Sequence, residues 1–170
     1  MNLKLPSQTY LKEMLAEEHD VNPDTLEQVI HLAFEIAKEG REGRKIGTMF
    51  VVSDSDAVLK QSVCLILDPL GCHSDEEKRI ENEDLRETVK ELAQLDGAFI
   101  VSDDGIVLSA TRYINASSEG IRLRLGLGSR HMAAASITLK THAIAVVVSE
   151  NATVRVFRNG KIIYEVSPER

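Results

Sequence analysis

Three short stretches carry side chains suited to holding phosphate and a hard cation: Asp96-Gly97-Ala98, Gly126-Leu127-Gly128-Ser129-Arg130-His131, and Ser149-Glu150. The second says most. It sets a glycine-flanked loop, a hydroxyl, a guanidinium and an imidazole at the start of an Ala-rich helix, whose first amides carry positive partial charge and favour anions. It lacks the G-K-[ST] of a Walker loop and the G-x-G-x-x-G of a dinucleotide fold, and Gly128-Ser129 alone reads equally well as an ordinary helix start. The Arg130-His131 pair is what that plainer reading leaves unexplained. Asp96 falls where a helix gives way to a strand, with Gly97 letting a ligand approach the backbone. A helix ending at Asp96 and a turn at Gly97 explain the same residues. Ser149 and Glu150 emerge from an apolar strand, at the kind of end where α/β sheets bind ligands, and an acid there can assist a metal; Glu150-Asn151 is equally a polar hairpin turn.

Those residues need elements to hold them. Ser7 caps a short helix with Tyr10, Leu11, Met14 and Leu15 at helical spacing, followed by a polar turn near His19-Asp20. Asn22 caps a second helix with Pro23 at its first position and Leu26, Val29, Ile30, Ala33, Phe34 and Ala37 on one face, ending at Gly40. Ile46 to Val52 predicts a buried strand ended by Ser53 to Asp56, and Val63 to Leu67 a second apolar run before the loop at Asp68-Pro69 and Gly71. A charged helix is expected from about Ser74, with Ile80, Leu85, Val89, Leu92 and Leu95 as its stripe. Ala98 to Val101 and Ile106 to Leu108 flank the Asp103-Asp104-Gly105 turn of a hairpin, and Thr111 to Gly120 reads as a polar loop. A helix over His131 to Lys140, a central strand over Ala143 to Val148, and a hairpin of Thr153 to Phe157 with Lys161 to Val166 about Asn159-Gly160 complete the chain. The alternation predicts one α/β domain, a central mixed β-sheet flanked by helices.

Composition narrows the function classes. The net charge of −7, from 20 basic against 27 acidic residues, repels a nucleic-acid backbone, so no nucleic-acid partner is expected. No apolar run approaches the roughly 18 residues of a membrane span and no signal peptide opens the chain, so a cytoplasmic protein without membrane attachment is expected. Cys64 and Cys72 are too few for a disulfide framework, and the spacing of Cys64, Cys72, His73 and Asp75 matches no common zinc pattern.

Asp96-Gly97-Ala98, Gly128-Ser129-Arg130-His131 with its Ala-rich continuation, and Val147-Val148-Ser149-Glu150 stand in the order and approximate spacing of diadenylate cyclase domains. The chain resembles that family from about Gly40 to Tyr164, including Ile46-Gly47 before the first strand. Two departures stand out. Met132 replaces the second arginine of the usual R-H-R, and Ser129 stands where threonine is frequent. A methionine makes no charged phosphate contact. Asn151 also occupies a position where some members carry a second acid, leaving Glu150 as the acid of that corner.

The resemblance implies a mixed sheet flanked by helices, with residues 1–40 as an N-terminal helical segment and 41–170 as the catalytic domain. It implies that two ATP molecules, held by facing protomers of a homodimer or higher homo-oligomer, condense to cyclic di-AMP and pyrophosphate with Mg²⁺ or Mn²⁺. By the same resemblance Asp96, Arg130 and His131 are catalytic, and Asp96 and Glu150 hold the metal. Gly97, Ala98, Tyr113, Ile114, Gly128, Ser129, Arg130, His131 and Ser149 bind ATP, with Tyr113 and Ile114 expected in a loop against adenine. The alternatives are a nucleotide sensor that has lost turnover, a nucleotidyltransferase with another acceptor, and a dimerisation scaffold resembling roadblock domains, whose hairpin has the form of Asp96 to Gly105.

Overall fold

A computed structural model describes residues 7–15 and 20–167. Helix α1 (Gln8–Leu15) begins at Ser7, whose Oγ accepts from the Tyr10 amide at 3.1 Å. The side chains of Leu11 and Leu15, and His19 of the expected turn, lie outside the described residues. Helix α2 (Pro23–Glu39) starts at Asn22, whose side chain accepts from the Asp24 and Thr25 amides, and stops at Gly40. Its expected face is buried, and so are Leu32 and Ile36 off that face. Helix α4 (Glu83–Leu92) accounts for part of this: Arg86 and Lys90 reach across to Glu35, and Lys90 also reaches Glu39.

Strands β1 (Thr48–Val52), β2 (Ser62–Cys64), β3 (Ala98–Val101), β4 (Val107–Ile114), β5 (Ile144–Val148), β6 (Val154–Arg158) and β7 (Lys161–Val166) form one sheet in the order β2-β4-β3-β1-β5-β6-β7. Only β1 and β3 pair in parallel; every other pairing is antiparallel, so the sheet is mixed as expected. Alternation along the central strands divides the core into two layers. Phe50, Val52, Phe99, Val101, Ile144 and Val146 pack with α2 and α4, and the Phe50 and Phe99 rings stack with centroids 5.1 Å apart. Met49, Val51, Ile100, Ala145, Val147 and Phe157 face the other way, under helix α5 (Ser129–Lys140). With both faces covered, β1, β3 and β5 are buried throughout, which is why they read as continuous apolar runs.

The apolar run Val63 to Leu67 lies at the sheet edge, where β2 is three residues long and Val63, Ile66 and Leu67 are 63%, 74% and 68% exposed. Three local expectations change. The charged helix begins at Glu83 rather than Ser74. A Ser74–Glu77 capping turn does form, but the following backbone is taken by the sheet, with Ile80 N donating to Gly105 O and Val107 N to Lys78 O, and Asn82 caps a fresh start. Strand β4 runs on to Ile114, so Thr111 to Ile114, including Tyr113 and Ile114, belong to a strand paired with β2 and β3 instead of a loop. A six-residue helix, α3 (Ser55–Lys60), follows β1 where only a strand end was expected.

Candidate active site

Register brings the three stretches together. Thr48 of β1 pairs with Val148 of β5, and Ala98 of β3 with Arg112 of β4. Because β3 runs parallel to β1, the starts of β1 and β3 and the ends of β4 and β5 share one edge of the sheet. The start of α5 completes that edge. Asp96, Gly97, Ala98, Tyr113, Ile114, Gly128, Ser129, Arg130, His131, Ser149 and Glu150 all line one cavity of about 880 Å3, a volume within the about 300–1,000 Å3 of small-molecule sites.

The members differ in what holds them. Asp96 and Glu150 are exposed, and neither makes a hydrogen bond or ion pair among the described residues. Tyr113 is 57% exposed, whereas Ile114 is buried. Gly128 offers no side-chain cap to α5, so no side chain occupies the acceptor position at that helix start. Ser149 is tied into the β5–β6 turn: its hydroxyl bonds with Asn151 and the Thr153 carbonyl, and it accepts from Arg155 at 3.3 Å. Glu150 and Asn151 thus form the turn after β5, and Glu150 also lines the cavity.

Gly97 lines the cavity, and the backbone requires a glycine there as well. It has φ 106°, and a Cβ there would lie 2.5 Å from the Thr111 carbonyl carbon, backbone that has no room to move at the irregular β3–β4 pairing. Gly47 was named in the sequence only as part of the family's reach, yet it shapes the site. A Cβ on it would stand 2.4 Å from Nη1 of Arg130 and 3.3 Å from Cγ of Glu150, so the bare backbone makes the space in which the Arg130 guanidinium lies. Gly47→Ala is expected to displace that guanidinium, the far end of a long side chain, at little cost in melting temperature, while lowering turnover about tenfold or more. Parallel thermal melts and initial rates check this.

His131 is neutral, not a cation for phosphate. Burial, then the positive charges of Arg155, Arg130 and Arg124, hold its pKa down at about 4. Nε2 lies 3.0 Å from Nη1 of Arg155, and a guanidinium only donates, so Nε2 accepts and the proton sits on Nδ1, a buried atom without a partner. Arg155 in turn is held by Glu165, which Arg124 also contacts. Sequence reasoning passed over Arg155, although an arginine between Val154 and Val156 in the apolar part of β6 is a legible signal of a buried polar network. With the folded pKa below the unfolded value of about 6.5, the unfolded chain binds the extra proton first as pH falls. Stability is therefore undiminished above about pH 6.5 and declines toward pH 4 by up to about 3 kcal/mol. Urea unfolding between pH 7 and 4 is expected to lose that slope in His131→Gln.

The family model described as "DisA bacterial checkpoint controller nucleotide-binding", abbreviated DAC, matches residues 35–162. A curated protein of Methanocaldococcus jannaschii named "Diadenylate cyclase" is 46% identical over 145 residues, 85% of this chain and 46% of that protein. Another of the same name from Haloferax volcanii is 38% identical over 151 residues, 87% and 54% of the respective lengths. The chain thus spans about half the length of the curated relatives it matches. Among solved structures, a hypothetical membrane spanning protein from Bacillus cereus aligns with a TM-score of 0.65 at 19% identity, covering 94% of this chain and 69% of that one. DacA from Staphylococcus aureus, as a double mutant, aligns at 0.57 and 22% identity, covering 85% and 87%. These structures share the fold. No helix among the described residues is long and apolar enough to cross a membrane. The sequence match across three quarters of its length, with the motif residues gathered on one cavity, makes this chain a member of the DAC nucleotide-binding family.

Proposed function

We propose that this chain is a diadenylate cyclase domain, which joins two ATP molecules into cyclic di-AMP and releases two pyrophosphates. The observation that carries the reading is the meeting of Asp96, the open start of α5 with Arg130, and Glu150 on one nucleotide-sized cavity in a member of this family. A dimerisation scaffold has no use for an unpaired guanidinium and two unpaired carboxylates around a cavity.

The adenine lies against Tyr113 and Ile114, where an exposed ring offers a stacking face. Ser129, Arg130 and the first amides of α5 take the phosphates. His131 contributes as a neutral donor through Nδ1. Its tautomer is fixed by Arg155. The 3′ oxygen of one nucleotide forms a bond to the α-phosphorus of the other as the bond to the pyrophosphate oxygen breaks, and the hydroxyl proton passes to Asp96. Repeating this step in the opposite sense closes the ring.

The donor set fits a divalent cation. Asp96 and Glu150 supply two hard oxygens with no partner in the chain, and no group of three ligands is assembled among the described residues. The remaining oxygens then come from nucleotide phosphates and water, the usual habit of Mg²⁺ and close to that of Mn²⁺. Such a cation neutralises phosphate charge when bound.

Two protomers must face each other for the two nucleotides to meet. The cavity rim supports this, because Leu65 and Tyr113 line it and continue into the exposed Val63, Ile66 and Leu67 on the β2 edge. Incubation with ATP and either metal, followed by chromatography with mass detection, tests the reading. Cyclic di-AMP with two equivalents of pyrophosphate is expected. Saturable ATP binding without product would make the chain a sensor, to which the apolar Met132 on the cavity wall lends itself. Neither binding nor product would leave a scaffold.

A further inference from the structure

Beside the large cavity lies a smaller one of about 270 Å3, bounded by the turn from Arg41 to Lys45 and by Asp96, Arg130 and Glu150. The last three also line the large cavity, so the two share a wall. Four cations border the smaller space, and two of them are already engaged. Arg41 pairs with Glu39, Glu87 and Glu91. Lys45 Nζ donates to the carbonyls of Ala37 and Lys38 at 3.1 and 2.9 Å, satisfying the C-terminus of α2. The guanidiniums of Arg44 and Arg130 make no hydrogen bond or ion pair among the described residues.

The mount beneath Arg44 is stiff. Arg41 and Arg44 exchange both backbone bonds, at 2.9 and 2.8 Å, around Glu42 and Gly43, whose φ values of 49° and 73° suit a two-residue hairpin. With Arg41 and Lys45 anchored on either side, the turn holds Arg44 at the cavity wall without any internal use for its charge.

We propose that Arg44 and Arg130 form a second anion subsite in the smaller cavity, which receives the terminal phosphates of the bound nucleotide and then the departing pyrophosphate. The proposal rests on the cyclase reading above. Two guanidiniums present forks that match phosphate oxygens. Glu42, Asp96 and Glu150 border the same space and repel a bare anion, so the matching ligand is a polyphosphate carrying a divalent cation, which offers both signs of charge. The volume lies below the about 300–1,000 Å3 of sites for drug-sized molecules, which suits the inorganic fragment and leaves base and ribose to the larger cavity. Arg130, on the shared wall, spans the α-phosphate and its leaving group, while Arg44 meets the charge that accumulates on the pyrophosphate oxygens as the α-phosphorus bond breaks.

Calorimetric titration of Mg²⁺-pyrophosphate, and separately of cyclic di-AMP, into wild type, Arg44→Ala and Arg44→Lys tests the subsite. Arg44→Ala is expected to weaken pyrophosphate binding about tenfold, with part of the loss recovered by lysine. Cyclic di-AMP has no terminal phosphates, and its affinity should stay within about twofold of wild type in both variants. Unchanged pyrophosphate affinity in Arg44→Ala, an equal loss for both ligands, or a wild type that binds cyclic di-AMP but not pyrophosphate would overturn the subsite and leave the cyclase reading standing. A wild type that binds neither ligand would overturn both.

Discussion

Asp96→Asn is expected to lower cyclic di-AMP formation by about 10²–10⁴-fold, the range over which positioned acids and bases act. The substitution keeps shape and removes charge, so it takes away both the proton acceptor for the 3′-hydroxyl and a hard anionic oxygen for the cation. Folding should not change, because Asp96 is exposed and bonds to nothing among the described residues, and surface changes of that kind stay within about 0.5 kcal/mol. Initial rates by mass detection, with a melting curve of the same preparation, separate the two effects. An Asp96→Asn protein with wild-type turnover would remove Asp96 from the chemistry.

Arg130→Ala should cost about 10²–10³-fold in kcat/KM, comparable to deleting one preorganised donor at a developing charge. The guanidinium sits on the wall shared by both cavities, over the bare backbone of Gly47 and beside Glu150, with no partner of its own. It is therefore held by shape rather than by a salt bridge, and its charge is free for phosphate. Arg130→Lys keeps the charge and loses the planar fork, so activity between those of wild type and alanine is expected. Equal rates for all three would show that the phosphates are bound elsewhere.

The helices and central strands were legible where local signals were unopposed. Asn22-Pro23 and Gly40 bracket α2 without competition, and the apolar runs of β1 and β5 are short enough to be buried strands. Ser74 misled because its capping turn is real but the next residues donate to and accept from the sheet, a long-range pairing no local pattern records. Val63 to Leu67 was legible as an apolar run but not as to where it faces. Its apolar content belongs to an exposed edge beside the cavity, and sequence periodicity does not say whether such a run faces a core or a partner.

The site residues were legible as motifs because their types are costly to explain otherwise. What the motifs did not reveal is how each is held. His131 reads as a phosphate contact, and only the fold shows that burial, with Arg155 24 positions away in sequence beside it, keeps the ring neutral and that Arg155 fixes its tautomer. Gly47 reads as a strand boundary until the space it leaves is seen to contain the Arg130 guanidinium. Both facts arise from the packing of α5 against β6 and β1, which only the folded domain supplies.

The most direct measurement is a crystal structure with 3′-deoxy-ATP and Mn²⁺, since that nucleotide binds but lacks the attacking hydroxyl. The account predicts adenine against Tyr113 and Ile114, phosphates on Ser129 and Arg130, an anomalous manganese signal between the nucleotide and Asp96 or Glu150, and two such nucleotides facing across a twofold axis. Nucleotide bound away from this cavity, or a single isolated site with no facing partner, would contradict it.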